Sequence, residues 1–323
     1  MILNHSLKAF YNIQVFSRNG VFLRETGFFQ NLLTDQLFEN WIGGDSTNTS
    51  SLFSYCQAGN GTGTPTNTDS TISAVGPRFA RLATNISDDL ENVIAVGNVL
   101  TCTSAYISSV GLGVGGGSIS EIGIFNQSSA GILVSRALIK TVLGVPTAIT
   151  VAADEYVKVL YKIQVTVDQT DKTGSFVYGG TTYNWTARPM AWNTALSLAP
   201  KNTTNFWVFP KGAISDAATS GFGLNRAVAG DNQTLAAITA RPTYTVQDIT
   251  NNISAIAYTA NSKQRKIEYT FGASQGNIAG GIGGIRLENS SPSESGFQIS
   301  FTPKFPKVSP NSFKVGITHQ FNR

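Results

Sequence analysis

The sequence predicts a mainly β protein: tandem antiparallel β-sandwich-like domains with one short N-terminal helix. Three observations carry this. The first is strict alternation in Tyr156–Val167, where Val157, Val159, Tyr161, Ile163, Val165 and Val167 share one face. Lys158, Lys162, Gln164 and Thr166 share the other, with Leu160 as the exception. A period of two with one wet face describes a strand of an antiparallel sheet. The second is turn chemistry at Asn19-Gly20 and Gly179-Gly180, each flanked by alternating runs. The third is composition. Of 323 residues 41% are hydrophobic and only 13% charged, with a net charge of +4. The core is therefore substantial, and the polar surface must come from Ser, Thr, Asn, Gln and Gly.

In chain order, Phe10–Phe16 reads as a half-buried strand, with Tyr11, Ile13 and Val15 inward. Asn19-Gly20 then predicts a two-residue hairpin with both residues at positive φ, and Val21–Glu25 as the return strand. Asn31–Ile42 predicts a helix: Leu33, Leu37, Phe38 and Trp41 recur at helical spacing, Asn31 or Thr34 can cap it, and Gly43-Gly44 ends it. A second short helix is expected near Asp88–Val93. The region 45–75 reads as a long polar loop interrupted by a strand at Leu52–Cys56. Strands follow at Val93–Thr103, Ser118–Asn126, Gly131–Lys140 and Tyr156–Val167. The polar stretch Asp168–Thr173 marks the expected boundary between an N-terminal domain, 1–167, and a C-terminal domain, 168–323. Beyond it, Phe176–Tyr178 and Thr181–Trp185 form a hairpin. Residues 187–250 carry no clear pattern. Lys266–Phe271, Gly281–Glu288, Phe297–Phe301 and Ser312–Phe321 complete a β-rich second half.

The two halves echo one another. VGLGVGGGSISEIGIFN, VSRALIK and YVKVLYKIQV in the first are matched by GNIAGGIGGIRLEN, FQISFTPKFPK and SFKVGITHQF in the second. Each set runs as a glycine-rich loop, a strand with a Gly-Ile pair (Gly123-Ile124 and Gly284-Ile285), a middle strand and a long alternating strand. Duplication of one β-module is the implied origin, and the C-terminal domain would be a diverged copy.

The stretch GNGTGTP, with Gly59, Gly61, Gly63 and Pro65, invites comparison with phosphate-binding loops. Such loops open a helix and usually carry a lysine. Here no Lys or Arg follows until Arg78, and Thr66–Thr71 favour turns. The loop is read instead as a flexible connection or contact arm, dispensable for folding. Catalytic groups are sparse. His5 and His319 are the two histidines, His5 in a mobile terminus and His319 filling a strand position. No Cys/His metal-ligand spacing and no G-x-S-x-G occurs. Glu121 sits in an apolar strand; pointing inward, it would need Arg136 or a backbone donor. Cys56 and Cys102 are read as reduced thiols, with a single bridge as the alternative. Lys263–Lys266 reads as a solvated strand start rather than a nucleic-acid patch. No catalytic, cofactor-binding or metal-binding residue is assigned, and no cofactor. Trp185, Trp192 and Trp207 are candidates for glycan contact in the second half, weighed against a role in the core. No stretch has the length of a membrane span, and the N-terminus lacks the apolar run of a signal peptide.

Taken in order, these segments resemble structural proteins of tailed-bacteriophage tails, baseplates and fibre adaptors. The resemblance rests on FYNIQVFSRNGVFLRETGFFQNLLTDQLFENWI, YCQAGNGTGTPTNTDSTI, SISEIGIFNQSSAGILVSRALIK and FQISFTPKFPKVSPNSFKVGITHQFNR. It covers most of 10–167 and the last thirty or so residues; 174–260 lie outside it. It implies a non-enzymatic virion component, assembled in the host cytoplasm and located in the tail. Its partners would be copies of itself and other tail proteins, with no nucleic acid and no membrane insertion. Gly59, Gly61, Gly63 and Pro65 would form an assembly loop. The alternative is a receptor- or glycan-binding tail protein that meets a host surface glycan through its C-terminal aromatics.

Overall fold

The computed structural model describes residues 1–43, 53–82, 92–96, 99–110, 117–141, 143–190, 226–238, 240–288 and 296–323. Among the described residues the protein is mainly β, built from antiparallel sheets with one short helix. Two compact units divide the chain. The N-terminal unit comprises Ser6–Asn92, Cys102–Val165 and Asn322–Arg323; the C-terminal unit comprises Met1–His5, Val93–Thr101 and Thr166–Phe321.

In the N-terminal unit, the strand Glu121–Phe125 lies between Tyr55–Gly59 and Leu133–Leu138, antiparallel to both. Leu133–Leu138 is in turn paired with the two-residue strand Leu32–Leu33. All five residues of Glu121–Phe125 and all six of Leu133–Leu138 are buried. Both faces of these strands are covered, so EIGIF and LVSRAL do not alternate between apolar and polar residues. The long strands contributed by Ser6–Ser17 and Glu155–Val165 do alternate, and their inward rows, Tyr11–Ile13–Val15 and Val157–Val159–Tyr161–Ile163–Val165, are all buried. The two layers meet at Tyr11, whose hydroxyl is 2.8 Å from the Ser135 hydroxyl and whose ring lies 5.1 Å from that of Tyr161.

Local details of this unit differ from the sequence-based expectations. At Asn19-Gly20 only Gly20 takes a positive φ, +83°. Gly20 N–H bonds to Ser17 C=O and Ser17 N–H to Val21 C=O. This is a type I turn closed by a glycine bulge, a three-residue hairpin loop that leaves Asn19 in ordinary backbone space. The helix is shorter than expected. Leu32–Leu33 is strand; Asp35–Phe38 is α-helix and Glu39–Gly43 a π-turn. The side chain of Thr34 makes no cap. It donates to Leu133 C=O, tying the helix start to the sheet. Sheet pairing thus outcompeted helix propensity at the front of the apolar repeat. Leu33, Leu37, Phe38, Trp41 and Ile42 are nevertheless all buried. The expected strand at Leu52–Cys56 is found at Tyr55–Gly59. Most of the second helix expected at Asp88–Val93 lies outside the described residues, and Asn92–Val96 is strand.

The C-terminal unit contains a six-stranded antiparallel sheet in the order Lys172–Tyr178, Thr181–Met190, Gly296–Phe305, Ile282–Glu288, Arg226–Gly230, Gln247–Thr250. A second layer pairs Ile253–Ala255, Gln264–Phe271 and Phe313–Asn322. Thr318 N–H bonds back to Met1 C=O. Aromatic rings join the layers: Phe305 lies 4.7 Å from Phe313 and 5.5 Å from Tyr183, and Phe301 lies 6.3 Å from Phe313. Each such ring, removed from water, contributes about 1.5–3 kcal/mol. Gly179 and Gly180 both take positive φ, +56° and +78°, in the two-residue turn that joins Tyr178 to Thr181. Arg265, in the cluster expected to be a solvated strand start, is 9% exposed, while Lys266 is outward.

Candidate functional site

The loop that contains GNGTGTP is folded onto its own unit. Glu121, 0% exposed, is opposite Gly59 across the sheet. One carboxylate oxygen accepts from Gly61 N–H at 3.0 Å and Ser73 N–H at 2.7 Å. The other accepts from Arg136 Nε at 2.7 Å. Arg136 also donates to Asp69 at 2.6 Å and to Gly63 C=O at 3.1 Å. Asp69 is held in turn by the Thr66 N–H and hydroxyl. Burial pushes the Asp69 carboxyl up, but the hydrogen bonds from Thr66 and Arg136 together outweigh it and hold it below the usual carboxylate range. Glycine is required here by the carboxylate. A Cβ at Gly61 would lie 2.2 Å from a Glu121 oxygen, and one at Gly59 would lie 2.7 Å from it. Gly63 has open space around it, and Pro65 is half-buried in the same loop. The loop is thus a lid whose underside is a charged hydrogen-bond network. The loop, expected as a flexible connection or contact arm, is bonded to its own sheet through Glu121 and Arg136.

The C-terminal unit repeats this arrangement with different chemistry. Its central strand Ile282–Glu288 lies between Arg226–Gly230 and Gly296–Phe305. The chain leaving Arg226–Gly230 folds over the sheet as 231–238 and 240–246, as 60–74 does after Tyr55–Gly59. Register gives the correspondence. Gly230 pairs with Gly284 where Gly59 pairs with Glu121. Counting two residues on, Arg286 and its neighbour Gln298 stand where Gly123 and its neighbour Arg136 stand. Arg136 tethers one lid; Gln298, 0% exposed, tethers the other, accepting from Ala236 N–H at 2.8 Å and donating to Ala236 C=O at 2.9 Å. Close approach again excludes side chains: Cβ atoms at Gly283 and Gly284 would meet Asp231 C=O at 2.5 Å and Asn232 C=O at 2.8 Å. The buried carboxylate of this unit, Glu288, lies further along the strand. Arg226 reaches it at 2.7 Å and Arg286 at 3.3 Å, and Arg241 of the lid also bonds to it. Arg286 further donates to Pro242 C=O at 2.8 Å and stands over the Tyr244 ring at 4.9 Å.

The remaining candidates are dispersed. His5 is buried, not mobile: its Nε2 is 3.0 Å from His319 Nδ1, the rings are stacked at 5.3 Å, and Phe321 and Phe297 pack against them. Burial drives both imidazoles down, His319 to about 4 and His5 well below its usual value. They are neutral at pH 7 and unsuited to proton transfer there. Cys56 is a free, buried thiol pushed up to about 12 by burial. Trp185 is half-buried, with its ring against Gly174 of the adjacent strand, where a Cβ would come within 2.5 Å. Trp192 and Trp207 lie outside the described residues. No protein-family model, curated protein or solved structure matches the chain. Among the described residues no group of three or more His, Cys, Asp or Glu is placed to hold a metal ion, and no helix is long and apolar enough to cross a membrane. An inward Glu121 was expected to need Arg136 or a backbone donor, and it has both. Asp69, Gln298, Arg226 and Arg241 were not legible from sequence, because their roles depend on how two long loops fold back.

Proposed function

We propose that the chain is a non-enzymatic structural component of a bacteriophage virion tail, a tail, collar or fibre-attachment protein that assembles through its β-domains. The observation that carries this reading is the use made of buried charge. Glu121, Arg136 and Glu288 are spent on tying long surface loops to sheets, where an enzyme would leave such groups facing a cleft. The sheets provide rigid geometry and the tethered loops provide shaped, low-charge surfaces, which suit lateral packing against copies or companions. The segment resemblance supplies the virion context. Mass spectrometry of purified particles, with gold-labelled antibody to locate the chain, tests the reading. The chain is expected in the tail at several copies per particle. Absence from particles with full infectivity overturns the proposal.

A further inference from the structure

Strand Lys172–Tyr178 ends the six-stranded sheet, and its outer edge is unusually open for a natural protein. It is seven residues long and pairs with Thr181–Met190 through seven consecutive partners without a bulge. The other strands that close sheet ends are shorter: Gln247–Thr250 has four residues, Ile253–Ala255 three and Leu32–Leu33 two. Natural sheets protect edges by shortness, proline, bulges or outward charge. Among the described residues this edge has no further strand beyond it. Its one charge, Lys172, is bonded to Asp168 at the far end of the strand.

The hairpin fixes which backbone groups face outward. A two-residue turn with both glycines at positive φ makes Tyr178 and Thr181 the hydrogen-bonded closing pair. Alternation then points the N–H and C=O groups of Tyr178, Phe176, Gly174 and Lys172 inward to the sheet. Those of Thr173, Ser175 and Val177 point outward. The side chains of these three residues are exposed, Val177 to 69%. The strand is therefore a template for an added antiparallel strand.

We propose that this edge pairs with the same edge of a second copy of the chain, about a two-fold axis at Ser175. In that register Ser175 faces Ser175 of the copy, and Thr173 faces Val177 in both directions. All three outward residues then meet outward residues, giving about six backbone hydrogen bonds. Lys172 falls opposite Tyr178, so no like charges are opposed, and a β-branched Thr–Val pair forms on each side of the axis. The two six-stranded sheets become one continuous sheet. A second copy suits the edge better than an unrelated strand because the sequence Thr-Gly-Ser-Phe-Val is complementary to itself when reversed in this register. The inference deepens the building-part reading by naming a partner, and rests on that reading only for the use of the dimer.

The test uses the purified full-length chain. Sedimentation velocity should show a concentration-dependent dimer. Ser175→Lys places two ammonium groups together on the axis and should return the chain to monomer. Ser175→Pro removes an outward N–H, with no intramolecular bond lost, and should do the same. Circular dichroism checks that the variants are folded; should Ser175→Pro misfold, Ser175→Lys decides. Ser175→Cys should form a disulfide-linked dimer on mild oxidation, because hydrogen-bonded antiparallel partners sit about 5.5 Å apart at Cα, within disulfide reach. The unmutated chain should not. A monomer at every concentration, or a dimer that ignores Ser175→Lys and leaves Ser175→Cys unlinked, overturns the proposal. Either result leaves tail incorporation, measured on particles, standing or falling separately.

Discussion

The two lids cover equivalent strands, yet one is tethered by charge and the other by an amide. In the N-terminal unit Arg136 links Glu121 beneath the loop to Asp69 within it. In the C-terminal unit Gln298 occupies the matching position and makes two hydrogen bonds to one residue, Ala236. The difference shows that the tether position is set by topology and its chemistry by what stands opposite Gly59 or Gly230. Glu121 demands a cation and two backbone donors. Gly284 demands nothing, so a neutral side chain suffices, and the buried carboxylate moves to Glu288, where three arginines meet it. A charged tether should therefore be the more fragile one, because removing one partner leaves the other buried and ionised.

The largest effect is expected for Arg136→Met. Glu121 would keep its two backbone donors but lose its counter-charge at 0% exposure. Loss of about 3–5 kcal/mol from the N-terminal unit is expected, read as an earlier transition in urea denaturation of the full chain. Gln298→Leu should cost less, about 1–3 kcal/mol from the C-terminal unit. It strands the Ala236 N–H, whereas Ala236 C=O keeps a second donor in Arg188 at 3.0 Å. Equal costs at the two positions would show that Glu121 draws no more from its guanidinium than a neutral hydrogen bond supplies.

How much of this could be read beforehand follows from the same contrast. Strands whose pattern is local were legible: the alternation in Glu155–Asp168 and Phe313–Asn322, and the hairpin at Gly179-Gly180. Arg136 was legible as one alternative partner for Glu121, because a buried carboxylate needs a cation or a backbone donor; the structure supplies both. The lids were not legible. Ile72 against Gly123 and Asp69 on Arg136 are contacts made by loops with no period to betray them. The echo is legible as an order of elements: Glu121–Phe125 and Ile282–Glu288 each lie between two antiparallel neighbours, and Gly59 and Gly230 end the strands from which the two lids depart. His5 defeats the reading for a related reason: a chain end is usually frayed, but here His5 lies in the strand Ile2–Ser17 beside Phe313–Asn322 and packs on His319 and Phe321.

Acid should separate the units next. Both histidines of the chain belong to the C-terminal unit and both are lowered by burial. A histidine lowered in the folded state contributes full stability above its unfolded value of about 6.5 and loses it as pH falls below. Each imidazole should cost about 1 kcal/mol of stability between pH 7 and pH 5.5. The N-terminal unit holds no histidine and should be little changed over that range. Thermal unfolding at the two pH values, followed by the near-ultraviolet signal of the C-terminal aromatics, checks this. His319→Gln should flatten the dependence.

The smallest effect is expected at Asp69→Asn, and it shows how far the charged tether extends. Asp69 is 17% exposed at its side chain, so its attraction to Arg136 is partly screened by water. Asparagine keeps an acceptor for Arg136 and for Thr66, and Arg136 retains Glu121 and Gly63 C=O. The loss should be about 1 kcal/mol or less. It should be present at neutral pH and vanish in acid, since a carboxyl held below its usual value contributes only while ionised. Denaturation midpoints of Asp69→Asn and the unmutated chain should therefore converge as pH falls below about 4. A cost approaching that of Arg136→Met would mean that Glu121, Arg136 and Asp69 act as one unit, with the lid bound through all three charges together.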